Sequence, residues 1–255
     1  MAKDKDKSKT ICVISTKGGI GKSIFTINMA GIYASIKKKV LIIDLDLTAG
    51  SIAMALNKPY EKSIYDLIED IKTNSFNKIS DYSMKYNDYI DCLACPKDPR
   101  KAALIDVNYL NTLLDYASYE YDMVLIDTNH NLSPVNLYIM DKVDELLLMV
   151  SNDPLNLKST RSLIAILDKL EITNYRVILN NSFNPYKSYF SLFDIKNIIK
   201  HNIDFTISNE FFIPNIDKMI MDGQIITLQS STPRVFNKDY TSMVTLATEI
   251  MKRGK

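Results

Sequence analysis

Short apolar runs alternate with longer amphipathic stretches along nearly all of this 255-residue chain, and that alternation restricts its fold more than any other feature. The runs are Thr10–Ser15, Val40–Leu45, Tyr89–Cys95, Met123–Asp127, Glu145–Val150, Arg176–Leu179 and a weaker Ile203–Ile207. Most are rich in Val, Ile and Leu without strict apolar–polar alternation, the pattern of strands covered on both faces. Helical periodicity fills the gaps at Lys22–Lys38, Asp106–Ala117, Leu155–Leu170 and Phe190–Lys200. A last helix, Asp239–Lys252, sets Met243, Leu246, Ala247 and Ile250 on one side. Parallel strands need crossover connections, so the alternation predicts an α/β fold: three layers, a mainly parallel twisted sheet of seven or eight strands, and helices on both faces. The stretch Pro59–Asn87, rich in Asn, Lys and Tyr, is the least regular and predicts one helix, Ser63–Lys72, followed by a loop. With no repeat, low-complexity segment or Gly/Ser linker, the chain reads as a charged tail over 1–9 and a single domain over 10–255.

Composition narrows the function classes. Lys plus Arg number 31 against 30 Asp plus Glu, and without the first ten residues the net charge falls from +1 to −1. Phosphate contacts dominate nucleic-acid affinity, so such a role would have to rest on a local patch. Three cysteines, Cys12, Cys92 and Cys95, are too few for a disulfide framework and fit a reducing cytoplasm. The N-terminus lacks the apolar core of a secretory signal, and no apolar run has the length of a bilayer span.

Of the seven glycines, three stand within four positions, Gly18, Gly19 and Gly21, between the first strand and the first long helix. The segment Ser15-Thr16-Lys17-Gly18-Gly19-Ile20-Gly21-Lys22-Ser23 has the context of a phosphate-binding loop. Glycines let successive N–H groups turn inward around an anion, and the helix start adds its positive dipole end. Lys22 supplies a point charge for the β- and γ-phosphates. Ser23 offers a hydroxyl to Mg²⁺, which prefers hard oxygen ligands.

The loop departs from the ordinary GxxxxGK[ST] pattern: Thr16 stands at the first glycine position and a second lysine, Lys17, precedes the glycine pair. KGGxGK[ST] resembles the deviant Walker A motif of the ParA/MinD superfamily of P-loop ATPases. The resemblance implies binding of ATP/ADP with Mg²⁺ by a set running through Lys17, Gly18, Gly19, Ile20, Gly21, Lys22, Ser23 and Ile24. It also implies that Lys17 reaches across an ATP-sandwich homodimer to the partner's phosphates. The segment Asp44-Leu45-Asp46, ending at Gly50, is similar to the family's switch I. Asp46 matches the residue that positions the attacking water, and Asp44 a neighbour supporting the metal shell. Tyr121–Thr128 looks like a Walker B strand whose Asp127 holds Mg²⁺ through water. Lys17, Lys22 and Asp46 are therefore the expected catalytic residues; Ser23, Asp44, Asp46 and Asp127 are the expected metal set.

Beyond Asp127 the chain leaves the family pattern, with Thr128-Asn129-His130-Asn131 in the switch II region. His130 invites a catalytic reading, but a lone polar loop histidine reads first as a surface residue. Relatives carry an Asn at the end of the strand that here closes at Asn180, whose amide both donates to and accepts from adenine. Ile213-Pro214-Asn215 matches a loop on the other side of the base, which makes Pro214 a further expected contact.

The stretch Leu93–Ala103 resembles the CpaE/TadZ and MinD-like branches, which position pili, flagella or the division site. That implies an ATP-bound dimer recruiting a protein partner, slow partner-stimulated hydrolysis, and a cytoplasmic protein drawn by partners to a pole or the inner membrane surface. A second reading is a ParA-type partitioning ATPase that binds DNA nonspecifically as an ATP dimer. Its basic residues are sparse: five arginines spread apart, and Lys37-Lys38-Lys39 at a helix end. A third is an Mrp-like iron–sulfur carrier using Cys92 and Cys95, although the Mrp pair lies much nearer the C-terminus.

Overall fold

Residues that alternate along the central strands divide between two cores. In the first strand Ile11 and Val13 enter one apolar cluster, while Cys12 and Ile14 enter the other. This two-sided burial is why the runs lack polar alternation. The computed structural model describes residues 8–47, 49–182, 189–208 and 216–252. Among them, eight strands form one sheet: β1 (Lys9–Ile14), β2 (Val40–Leu45), β3 (Met84–Lys85), β4 (Ile90–Leu93), β5 (Met123–Thr128), β6 (Glu145–Val150), β7 (Tyr175–Asn180) and β8 (Phe205–Ile207). Their order is β3-β4-β2-β5-β1-β6-β7-β8, with β3 alone antiparallel to its neighbour. The expected architecture is present.

The helices among the described residues are α1 (Lys22–Ser35), α2 (Ser51–Ala55), α3 (Ile64–Lys72), α4 (Pro99–Ala102), α5 (Leu110–Glu120), α6 (Pro134–Lys142), α7 (Pro154–Lys169), α8 (Leu192–Ile199), α9 (Ile216–Met221), α10 (Thr232–Val235) and α11 (Asn237–Lys252). On one face of the sheet α1 and α11 bury Ile32, Tyr33, Met243 and Leu246. On the other, α3, α5, α7 and α8 bury Leu67, Leu113, Leu163 and Ile195.

Local chemistry accounts for the departures from the sequence reading. Helix α1 stops at Ser35, earlier than expected, because Lys37 takes a left-handed conformation (φ 61°) that breaks the turn. Asp106 caps a 3₁₀ turn, Val107–Tyr109, before α5 begins, so the helix expected over Asp106–Ala117 starts as a tighter element. Helix α6 was not expected, yet it carries a start signal: Ser133 accepts from the Asn136 amide and Pro134 occupies the first turn.

The topology decides where chemistry sits. β1 lies between β5 and β6, and β2 flanks β5 on the far side. The C-terminal ends of β1, β2 and β5 therefore open onto one crevice, the usual ligand position in open parallel sheets.

Candidate functional site

The loop Ser15–Gly21 joins β1 to α1 and is shaped by its own side chains and by its neighbours. Ser15 Oγ donates to the Lys17 carbonyl at 2.8 Å, tightening the entry. Thr16 is drawn sideways onto α7, with its Oγ1 2.7 Å from Ser159 Oγ and accepting from Asn156 Nδ2 at 3.0 Å. Gly21 sits at φ 92°, a conformation that L residues avoid, and a Cβ there would lie 2.8 Å from Asn180 Nδ2. Gly18 backs onto His130, whose Nδ1 stands 3.4 Å from where a Cβ would project.

Lys22 and Ser23 open α1 at the C-terminal ends of β2 and β5. The Lys22 side chain is buried, and burial lowers the ammonium pKa against the opposing pull of Asp127 and Asp46. Ser23 Oγ donates to Asp127 Oδ2 at 2.6 Å, Ser51 Oγ donates to Ser23 Oγ at 2.7 Å, and Thr26 Oγ1 donates to Asp127 Oδ1 at 3.3 Å. Asp44 and Asp127 are register partners on adjacent strands, and both are fully buried. Asp44 accepts from the backbone N–H groups of Asp46 (3.1 Å) and Ile52 (3.1 Å). Even so, burial first and the Asp127 charge second push its carboxyl up to about 8. Burial likewise raises Asp127 to about 6, moderated by Ser23 and Lys22. Ser23 Oγ and the Asp127 carboxyl form a hard oxygen pair beside Lys22, so Mg²⁺ fits the residues present, while both oxygens of Asp44 are engaged by backbone N–H groups behind it.

Asp46 begins the turn that follows β2. Its Oδ1 accepts from the Ala49 amide at 3.2 Å and its carbonyl from the Gly50 amide at 2.9 Å. Gly50 has φ 56°, and a Cβ there would stand 2.1 Å from Cys95 Sγ. A cleft of 560 Å³ opens over this ensemble, lined by Gly21, Lys22, Ser23, Asp46, Met54 and Met221 among others. A second cleft, of 180 Å³, lies across the loop and is lined by Lys17, Asn152, Asp153, Asn180 and Tyr189.

A family model described as AAA domain matches residues 8–184, from the start of β1 past the end of β7. The chain belongs to the ParA/MinD superfamily of P-loop ATPases. It is similar to the chromosome-partitioning ATPase Soj of Thermus thermophilus, 25% identical over 168 residues, 64% of this chain and 63% of Soj. The match thus spans less than two thirds of that relative's length. Its fold is that of a ParA family ATPase from Chlorobium tepidum, with a TM-score of 0.80, 19% identity, and coverage of 94% of this chain and 99% of that one. It is also that of the septum site-determining protein MinD from Pyrococcus horikoshii, solved with Mg-ADP (TM-score 0.76, 20% identity, 96% of each chain).

In this ParA/MinD-type chain the structure brings together Lys22, Ser23, Asp44, Asp46 and Asp127 around one crevice. Lys17 lies on the opposite side of the loop and pairs with Asp153. Asn180 is buried beneath the loop with its amide engaged inside the protein, and Pro214 lies outside the described residues. Cys92 and Cys95 are buried free thiols; burial raises Cys95 to about 11 and Cys92 well above the ordinary range, a setting that disfavours the thiolate. Ser51, Thr26 and Asp153 were not anticipated. Thr26 is one helical turn from Lys22, Ser51 follows the switch I glycine, and Asp153-Pro154 is a readable helix start.

Proposed function

We propose that this chain is an ATP-driven dimerisation switch: residues 10–255 act as one domain that binds Mg-ATP, pairs with a second copy, recruits a protein partner and resets by slow hydrolysis. The observation that supports this most is the Ser23–Asp127 hydrogen bond of 2.6 Å beside buried Lys22, which sets a cation ligand pair and a phosphate-binding ammonium at one loop. When bound, Mg²⁺ neutralises phosphate charge. The amides of Gly18–Ser23 and the Lys22 ammonium hold the oligophosphate, and Asp46, at the mouth of the cleft, orients a water for in-line attack. Lys17, on the far rim, serves the partner subunit's site.

A positioning role agrees with similarity to a septum site-determining protein. The reading of a branch that positions pili, flagella or the division site rests on Leu93–Ala103. Among the described residues, no helix is long and apolar enough to cross a membrane.

Lys22→Ala tests the phosphate reading by calorimetric titration with Mg-ATP. Loss of a buried charge-assisted contact set is expected to weaken binding roughly 100-fold; unchanged affinity sinks the assignment. Similarity to a chromosome-partitioning ATPase favours one second reading, nonspecific DNA binding by the ATP dimer. Duplex DNA retained by Mg-ATP-loaded Asp46→Ala at near-physiological salt would select that reading over protein recruitment.

A further inference from the structure

Asn180 closes β7 directly beneath the phosphate loop and is nearly inaccessible, with 6% of its surface exposed. Its Nδ2 donates to the Ile20 carbonyl at 2.9 Å, while its Oδ1 accepts from the Ser182 amide at 3.0 Å and from Ser182 Oγ at 2.7 Å. The partners fix the orientation of the amide: a carbonyl only accepts and a backbone N–H only donates, so a flipped amide would lose two bonds and gain two like-pole contacts. The oxygen and one of the two N–H donors are thus committed within the protein, which leaves a single N–H and no acceptor for a base edge. Gly21 fits against the same nitrogen only because it has no Cβ.

Ile20 and Gly21 are the last residues before α1, where the loop turns its N–H groups toward an anion. With the Ile20 carbonyl held back by Asn180, the peptide unit that joins Ile20 to Gly21 presents its N–H to the opposite side, the side of the cleft. We propose that Asn180 is a positioning residue for the oligophosphate: it fixes the Ile20–Gly21 peptide so that the loop is pre-formed for phosphate, and it acts on every nucleotide alike rather than selecting adenine. This rests on the reading of the loop as a phosphate site.

A base-free probe separates the two roles, because tripolyphosphate offers the charge of ATP without the ring. Mg-tripolyphosphate, Mg-ATP and Mg-GTP are titrated calorimetrically into wild type, Asn180→Ala and Ser182→Ala, with thermal melts confirming that each variant is folded. Leaving the Ile20 carbonyl without its donor is expected to weaken all three ligands by about tenfold in Asn180→Ala. The same direction and a smaller factor are expected in Ser182→Ala, which releases only one bond to Oδ1. Hydrogen exchange at the amides of Ile20–Ser23 is expected to quicken while the rest of α1 keeps its protection. Retained tripolyphosphate affinity with selective loss of ATP would overturn the inference and make Asn180 a base reader. Should wild type bind neither ATP nor tripolyphosphate, the phosphate site itself is wrong, and the inference falls with it. If Asn180→Ala does not fold, Ser182→Ala decides: equal weakening of all three ligands supports the inference, and loss confined to ATP, or none, overturns it.

Discussion

Lys17 Nζ lies 3.1 Å from Asp153 Oδ2 of the same chain, so the lysine proposed to act on a partner subunit is held in cis by the last residue of the β6–α7 turn. Asp153 also caps α7, accepting from Leu155 and Asn156, and its carboxyl is held low first by the Asn156 amide and then by Lys17. Asp153→Asn keeps a capping oxygen and removes the charge. Since a half-exposed ion pair contributes at most about 1 kcal/mol, the ATP concentration needed for dimerisation is expected to fall by up to about fivefold. Circular dichroism should show unchanged helix. An unmoved titration would mean that the pair does not restrain Lys17.

Asp127 offers a test of the cation site without any ligand. Its folded pKa, about 6, is raised by burial above the unfolded value, so its contribution favours folding at low pH and is lost as pH rises through 6. At pH 8 the full cost is present. Asp127→Asn removes the charge, and the hydroxyls of Ser23 and Thr26 rotate to meet the amide. The ligand-free variant is expected to melt at or above wild type at pH 8, with the advantage shrinking toward pH 5, while Mg²⁺ no longer tightens ATP binding. A melting point well below wild type at pH 8 contradicts this.

Gly50 and Cys95 make a third test. Gly50→Ala strains a left-handed residue and drives a methyl into Cys95 Sγ, an expected loss of about 2–4 kcal/mol in denaturant unfolding. Adding Cys95→Ala should recover about 1 kcal/mol or more through coupling between the two sites. Strict additivity would deny the contact. Retained nucleotide affinity in Cys95→Ala assigns the thiol to packing under the switch; iron and colour in the purified protein would assign it to a cluster.

Some of this was legible in the residues alone. β2 and β6 were read end to end because strands buried on both faces leave uninterrupted Val/Ile/Leu runs bounded by polar residues. β3, two residues long in an Asn/Lys/Tyr-rich stretch, is too short to show a period and exists because β4 offers an edge. The crevice around Lys22, Ser23, Asp44, Asp46 and Asp127 was legible because each of those residues sits at a strand end or helix start that its own neighbours define. The Lys17–Asp153 pair, the hold of Asn180 on Ile20 and the seat of Cys95 under Gly50 join segments 45 to 160 residues apart, and only the folded topology sets those contacts.

In the proposed switch, nucleotide state sets oligomeric state. Light scattering on Asp46→Ala, whose loss of the water-orienting carboxylate should trap the ATP form, tests it most directly. With saturating Mg-ATP a particle of twice the 29.1 kDa chain mass is expected, and with Mg-ADP a single chain. A monomer in Mg-ATP, with binding confirmed in the same sample, would contradict it.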